Sequence, residues 1–205
     1  MARGRGRIFK ESGYSLAEPE KAPERSVDER WVELVRRSSM FDATWCRNGA
    51  CITAEETDLI RAHLVRDKGS PLSANPLFDD DWYLAEYKDV ASAGLPPLVH
   101  YIIAGAAEGR LPGPLFDPNW YEITYPEARM HDSGPLSYHL RIGRALGNSP
   151  NPMFNVAWYL ASYPDVAASG MDALEHYVRN GAAERRDTGP EFSTRWYLAR
   201  NPQVL

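Results

Sequence analysis

Apolar positions along this chain follow a helical period locally and a far longer period overall. Leu98, Tyr101 and Ile102, like Leu174, Tyr177 and Val178, fall at i, i+3 and i+4, the spacing of one helix face. No stretch sustains the apolar–polar alternation of a half-buried strand. The longer period is carried by an aromatic opening: FDATWC from Phe41, FDDDWY from Phe78, FDPNWY from Phe116, FNVAWY from Phe154 and FSTRWY from Phe192. The steps between these Phe positions are 37, 38, 38 and 38 residues, within the range of helical repeat architectures.

The remainder of the unit recurs with the opening. YKDVASAG (87–94), YPEARMHDSG (125–134) and YPDVAASG (163–170) follow it, and PPLVHYIIAG (96–105), GPLSYHLRIG (134–143) and DALEHYVRNG (172–181) come next. Asn-Pro or Gly-Pro precedes each new Phe, and GAAE-x-R recurs at 105–110 and 181–186.

Each unit therefore predicts two short helices. The residue after each Phe is Asp42, Asp79, Asp117, Asn155 or Ser193, all preferred N-caps, and Pro118 suits the first helical position. In that phase the Phe precedes the cap and Tyr83, Tyr121, Tyr159 and Tyr197 fall at the fourth helical position, the geometry of a hydrophobic staple. Pro126, Pro164 and Pro202 are expected to interrupt the first helix, with Gly94, Gly134 and Gly170 ending the turn that follows. Gly105, Gly143 and Gly181 are expected as left-handed caps of the second helix. A helix pair of this size buries too little surface to fold alone, so stacked units must share a core. Trp45, Trp82, Trp120, Trp158 and Trp196, with the paired Tyr, are expected to fill the seams.

The predicted fold is all-α, a solenoid-like array of two-helix units. Residues 41–77 form a degenerate repeat, 78–115, 116–153 and 154–191 complete ones, and 192–205 a partial terminal one. Residues 1–25 are polar and broken by Gly and Pro, and are expected to be disordered. Residues 26–40 predict an amphipathic helix, opened by a capping box from Ser26 to Glu29 and carrying Trp31, Leu34 and Val35. It is expected to cap the array, or alternatively to dock a partner.

Composition changes this picture little. With 43% hydrophobic and 25% charged residues and a net charge of −5, the chain looks globular and poorly suited to nucleic acid. No apolar run reaches the ~20 residues of a membrane span, and MARGRGRIFK has no signal-peptide core. A cytoplasmic location is expected, peripheral to the inner membrane at most through a partner. Cys46 and Cys51 are expected as free thiols.

Candidate chemistry meets a structural rival at each point. Asp79-Asp80-Asp81 has the look of a metal-holding D-x-D, but the other units carry Asp-Pro-Asn, Asn-Val-Ala and Ser-Thr-Arg there, so a cap and first turn are expected. His100, His139 and His176, with His63 as an approximate equivalent, lie about one unit apart. Helix layers pack ~8–10 Å apart whereas zinc needs nitrogens at ~2 Å, so no shared metal is expected. No nucleophile elbow, P-loop or dinucleotide fingerprint is present in the sequence, so neither a catalytic residue nor a cofactor is assigned. The candidate binding surface comprises Trp31, Tyr101, Glu108, Arg110, Tyr177, Glu184 and Arg186. The Arg and Glu of that set have unit-to-unit salt bridges as their structural alternative.

The unit F-D-x-x-W-Y-L-x-x-Y-P-D-V-A-x-x-G…L-x-H-Y…G-A-x-E-G-R resembles a bacterial repeat found alongside surface-polysaccharide glycosyltransferases of the rhamnan-synthesis type, and in some secreted proteins. The likeness covers 78–205 well and 41–77 loosely. Lys88 in place of Pro, the inverted Tyr138-His139 and RALGNSP in place of GAAEGR depart from it. It implies a bacterial accessory region associated with polysaccharide assembly and transfers no catalytic residue. The expected function is a non-enzymatic interaction scaffold for a protein partner. The alternative is an accessory or N-terminal module of a polysaccharide glycosyltransferase, with a glycan as ligand.

Overall fold

The computed structural model describes residues 27–131 and 134–204. The tail expected at 1–25 and the Ser26 end of the capping box lie outside them. All regular elements among the described residues are helical, apart from three isolated bridges. The α-helices, in order, are α1 (Glu29–Ser38), α2 (Ala43–Ala50), α3 (Glu56–Leu64), α4 (Asp80–Glu86), α5 (Lys88–Ala93), α6 (Pro97–His100), α7 (Pro118–Thr124), α8 (Gly134–Tyr138), α9 (Val156–Ser162), α10 (Pro164–Ser169), α11 (Ala173–His176) and α12 (Thr194–Arg200), with short π and 3-10 segments between and after them.

α1 is capped by Asp28. The Asp28 carboxylate accepts from the Arg30 amide at 2.9 Å, so Glu29 is the first helical residue. Glu29 reaches across to Arg61 on α3 at 2.9 Å. Val32 and Val35 are buried on the face that packs against α3 and α6.

The predicted helix entry recurs five times. The side chains of Asp42, Asp79, Asp117, Asn155 and Ser193 each accept from the Trp amide three residues on, at 2.9–3.4 Å. Phe and Tyr rings staple over this turn at 5.4, 5.0, 5.1 and 5.5 Å in the units starting at Phe78, Phe116, Phe154 and Phe192. Tyr83, Tyr121 and Tyr159 are fully buried. The tryptophans are not: they stand one position, or ~100° of helix rotation, away from the stapled Tyr. Trp82, Trp120 and Trp158 are partly buried, edge-on to Tyr87, Tyr125 and Tyr163 at 6.1–6.3 Å; Trp120 packs against the core, whereas Trp196 is 60% exposed and fills no seam.

The first helix breaks where predicted, but not through Pro alone. α4 ends at Glu86 although Lys88 occupies the Pro position. The common cause is the residue between, since Tyr87, Tyr125 and Tyr163 all take a non-helical ψ of 79–86°. Their hydroxyls accept from the amides of Leu111, Ser149 and Asp187 at 2.8–2.9 Å, which pins the kink to the end of the same unit.

The second helix differs from expectation. α6, α8 and α11 run directly into five-residue π-helical segments ending at Gly105, Gly143 and Gly181. These glycines stay helical, so the left-handed-cap expectation fails. A Cβ on any of them would collide with the hydroxyl of Tyr83, Tyr121 or Tyr159. Glycine is needed there for close approach. The left-handed position comes four residues later, at Gly109 (φ 70°), Gly147 (φ 75°) and Arg185 (φ 59°).

Each unit closes on itself and on the next. The amides of Asp42, Asp79, Asp117 and Asn155 donate to the carbonyls of Ala74, Pro112, Pro150 and Thr188, 32 or 33 residues on. Asn75 and Asn151 donate to the carbonyls of Met40 and Leu115, just before the unit's own Phe. Gly113 occupies the same slot, and there the backbone itself comes so near the Leu77 carbonyl that a side chain would be 2.9 Å from it.

Contacts also skip units. Ser137 donates to the Ser38 carbonyl at 3.0 Å, Arg144 to Asp42 at 3.3 Å and Arg179 to the Trp45 carbonyl at 3.3 Å, pairs 99, 102 and 134 residues apart. The Arg179 guanidinium lies 4.0 Å over the Trp45 ring. Unit 41–77 thus touches the third and fourth units as well as the second.

Candidate functional sites

The predicted surface set divides into three groups. Tyr101 is corrected outright: it has no exposed surface and rests against Phe78 and Tyr83, because it opens the π-helical segment that continues α6 and faces inward. Burial pushes its hydroxyl well above the ordinary tyrosine range, and that hydroxyl has no hydrogen-bond partner. Tyr177 is half-buried against Phe154 at 5.4 Å, and Trp31 is partly buried against the core.

Glu108, Arg110, Glu184 and Arg186 are clamps within units, not bridges between them. Arg110 forms two bonds with Asp89, at 3.0 and 2.8 Å, a third with Glu108 at 2.6 Å, and stacks 4.8 Å over Tyr87. Hydrogen bonding from Arg110 holds Asp89 down to about 2. Arg186 repeats this with Asp165, Glu184 and Tyr163. Their donors are already engaged, so these residues lock the kink. In the third unit Asn148 holds the arginine slot and turns inward instead, donating to the Tyr121 hydroxyl at 3.0 Å.

The histidines are spent similarly. Nδ1 of His100 and of His176 lies 3.0 Å from the Tyr83 and Tyr159 hydroxyls, and His139, despite the inverted order, reaches Tyr121 at 3.2 Å. Burial, and secondarily Arg144, lowers His139 to about 3.

Two surfaces escape this internal use. The first is on the third unit. Ile123 is 71% exposed where the neighbouring units carry Ala85 and Ala161, and Leu146 is 64% exposed where they carry Glu108 and Glu184. Met130, 85% exposed, lies at the end of the same unit's connecting turn.

The second is a cavity of about 200 Å³ between the degenerate and second units. Asp79 caps α4 as predicted, but its neighbours do more. Asp80 is only 4% exposed and faces His63 Nε2 at 3.4 Å and Arg66 at 3.8 Å. Asp81 accepts from the Gly69 amide at 2.7 Å and Arg66 at 3.2 Å. Burial would raise its pKa, but these two donors outweigh that and hold it below the usual carboxylate range. His63 Nδ1 faces the Leu72 carbonyl at 3.2 Å, so both ring nitrogens meet acceptors. Lys68 and Lys88 stand at the rim. Sequence reasoning missed this site, although Asp80, Asp81 and Lys88 were visible as departures from the repeat.

No known protein family, curated protein or solved structure matches this chain. Among the described residues no helix is long and apolar enough to cross a membrane.

Proposed function

We propose that the chain is a non-enzymatic scaffold, a solenoid-like array wound back on itself, whose third unit docks a protein partner. The carrying observation is the substitution pattern on that unit. Ile123 and Leu146 are large, apolar and exposed at positions where the same fold elsewhere is built with Ala or Glu, so packing does not require them. Large apolar side chains held in solvent where packing does not require them suit contact with a partner. Two free thiols, Cys46 and Cys51, suit a reducing cytoplasm.

A photo-crosslinking side chain at position 123 tests this reading, with the same group at position 85 as the internal control. A discrete partner captured from 123 alone, and lost when Leu146→Glu restores the residue type of the neighbouring units, is the expected result. Equal capture from both positions removes the proposal.

The partly exposed Trp82 and Trp158 support the second reading, an accessory module of a bacterial polysaccharide glycosyltransferase. Its ligand would stack on those indoles, so titration with rhamnose-containing polysaccharide should shift tryptophan emission saturably. A flat titration would rule out glycan stacking on that row.

A further inference from the structure

We infer that the cavity between the degenerate and second units binds a small organic monoanion, a short-chain carboxylate with an alkyl body. Repetition within the chain supplies the control for this argument. The fold is built with Pro, Val or Thr at the Asp80 position and with Pro at the Lys88 position in the later units, so neither residue is needed to make the unit. Asp80, Asp81 and Lys88 nevertheless converge on one cavity, together with His63, Arg66 and Lys68 from the preceding unit.

The chemistry of the walls narrows the occupant. Arg66, Lys68 and Lys88 against Asp80 and Asp81 leave the cavity net positive, which suits a small anion. Asp80 and Asp81 are engaged by Arg66, His63 and the Gly69 amide, whereas Lys88 has no carboxylate partner among the described residues. Lys88 is therefore the group left to receive a carboxylate, with Lys68 beside it. The rest of the lining is apolar, from Leu64, Leu84, Ala85, Pro96 and Pro97. A volume of about 200 Å³ lies below the ~300–1,000 Å³ of sites for drug-sized ligands and fits a body of a few carbons.

Amide-resolved NMR of the full chain titrated with isobutyrate tests the inference, with isobutyramide and inorganic phosphate as comparison probes. Saturable shifts at residues lining the cavity, with a dissociation constant of about 1 mM, are expected for so small a ligand. Loss of the charge in isobutyramide should weaken binding by roughly tenfold or more, the scale of one charge-assisted hydrogen bond. Lys88→Pro, the residue the later units carry, and Lys88→Gln should each weaken it about as much. Shifts confined to other surfaces, unchanged binding in both Lys88 variants, or phosphate binding as tightly as isobutyrate would each overturn it.

Discussion

The buried tyrosines at the helix entries are placed by what meets them from within their own unit. The buried Tyr121 hydroxyl shows this most fully, with His139 on one side, the Asn148 amide on another and Gly143 against it. His139 carries a measurable signature of that burial. Its folded pKa of about 3 lies below the ordinary ~6.5, so the unfolded chain binds the extra proton first. Its contribution is complete above about pH 6.5 and declines as the pH falls towards 3. Denaturant titrations at pH 7 and pH 4.5 should show the parent losing about 2–3 kcal/mol more than His139→Gln over that interval. An identical loss in both would place the sensitivity elsewhere.

Helix starts and helix ends differ in how much the sequence reveals of them. The starts were legible because a cap, a staple and a first-position Pro are all local chemistry within six residues. The ends were not. Gly105 and Gly109 are both glycines near the end of the second helix, and only the distant Tyr83 hydroxyl shows that the first serves close approach and the second a left-handed turn. Likewise, nothing local in PPLVHYIIAG separates an α-helix from one that opens into a π-segment. The Pro at 126 and 164 was read as the cause of the kink, but the Lys88 unit kinks identically because Tyr87 is tied to Leu111. Of the candidate site, the clamp residues were legible as a recurring motif, whereas their partners Asp89 and Asp165 appeared only once the unit was folded.

Arg185 provides a test at this level. It takes the left-handed conformation for which the equivalent units use Gly109 and Gly147, and a side chain there costs about 1–2 kcal/mol. Arg185→Gly is therefore expected to stabilise the protein by about 1 kcal/mol, after allowing for the entropy glycine adds to the unfolded chain. A loss of stability in thermal or denaturant unfolding would contradict this account.

Over the whole molecule, the deciding fact is that unit 41–77 reaches the third and fourth units through Asp42, Trp45 and the preceding Ser38. Nothing in the spacing of the repeats announced this, since a period of 38 residues fixes the unit and not the path the units follow. Arg144→Ala with Arg179→Ala removes the ion pair and the cation–π contact that join unit 41–77 to the third and fourth units. The pair should cost about 1–2 kcal/mol and raise the radius of gyration in small-angle scattering. An unchanged radius would mean that the core alone sets the curvature. The closure also bears on how such a chain can change over generations. An open stack tolerates the gain or loss of a unit anywhere along its length. Here an extra unit of about 38 residues between Trp45 and Arg179 would carry them out of reach of each other, so the number of units between them is inherited as a fixed quantity while their surfaces remain free to diverge.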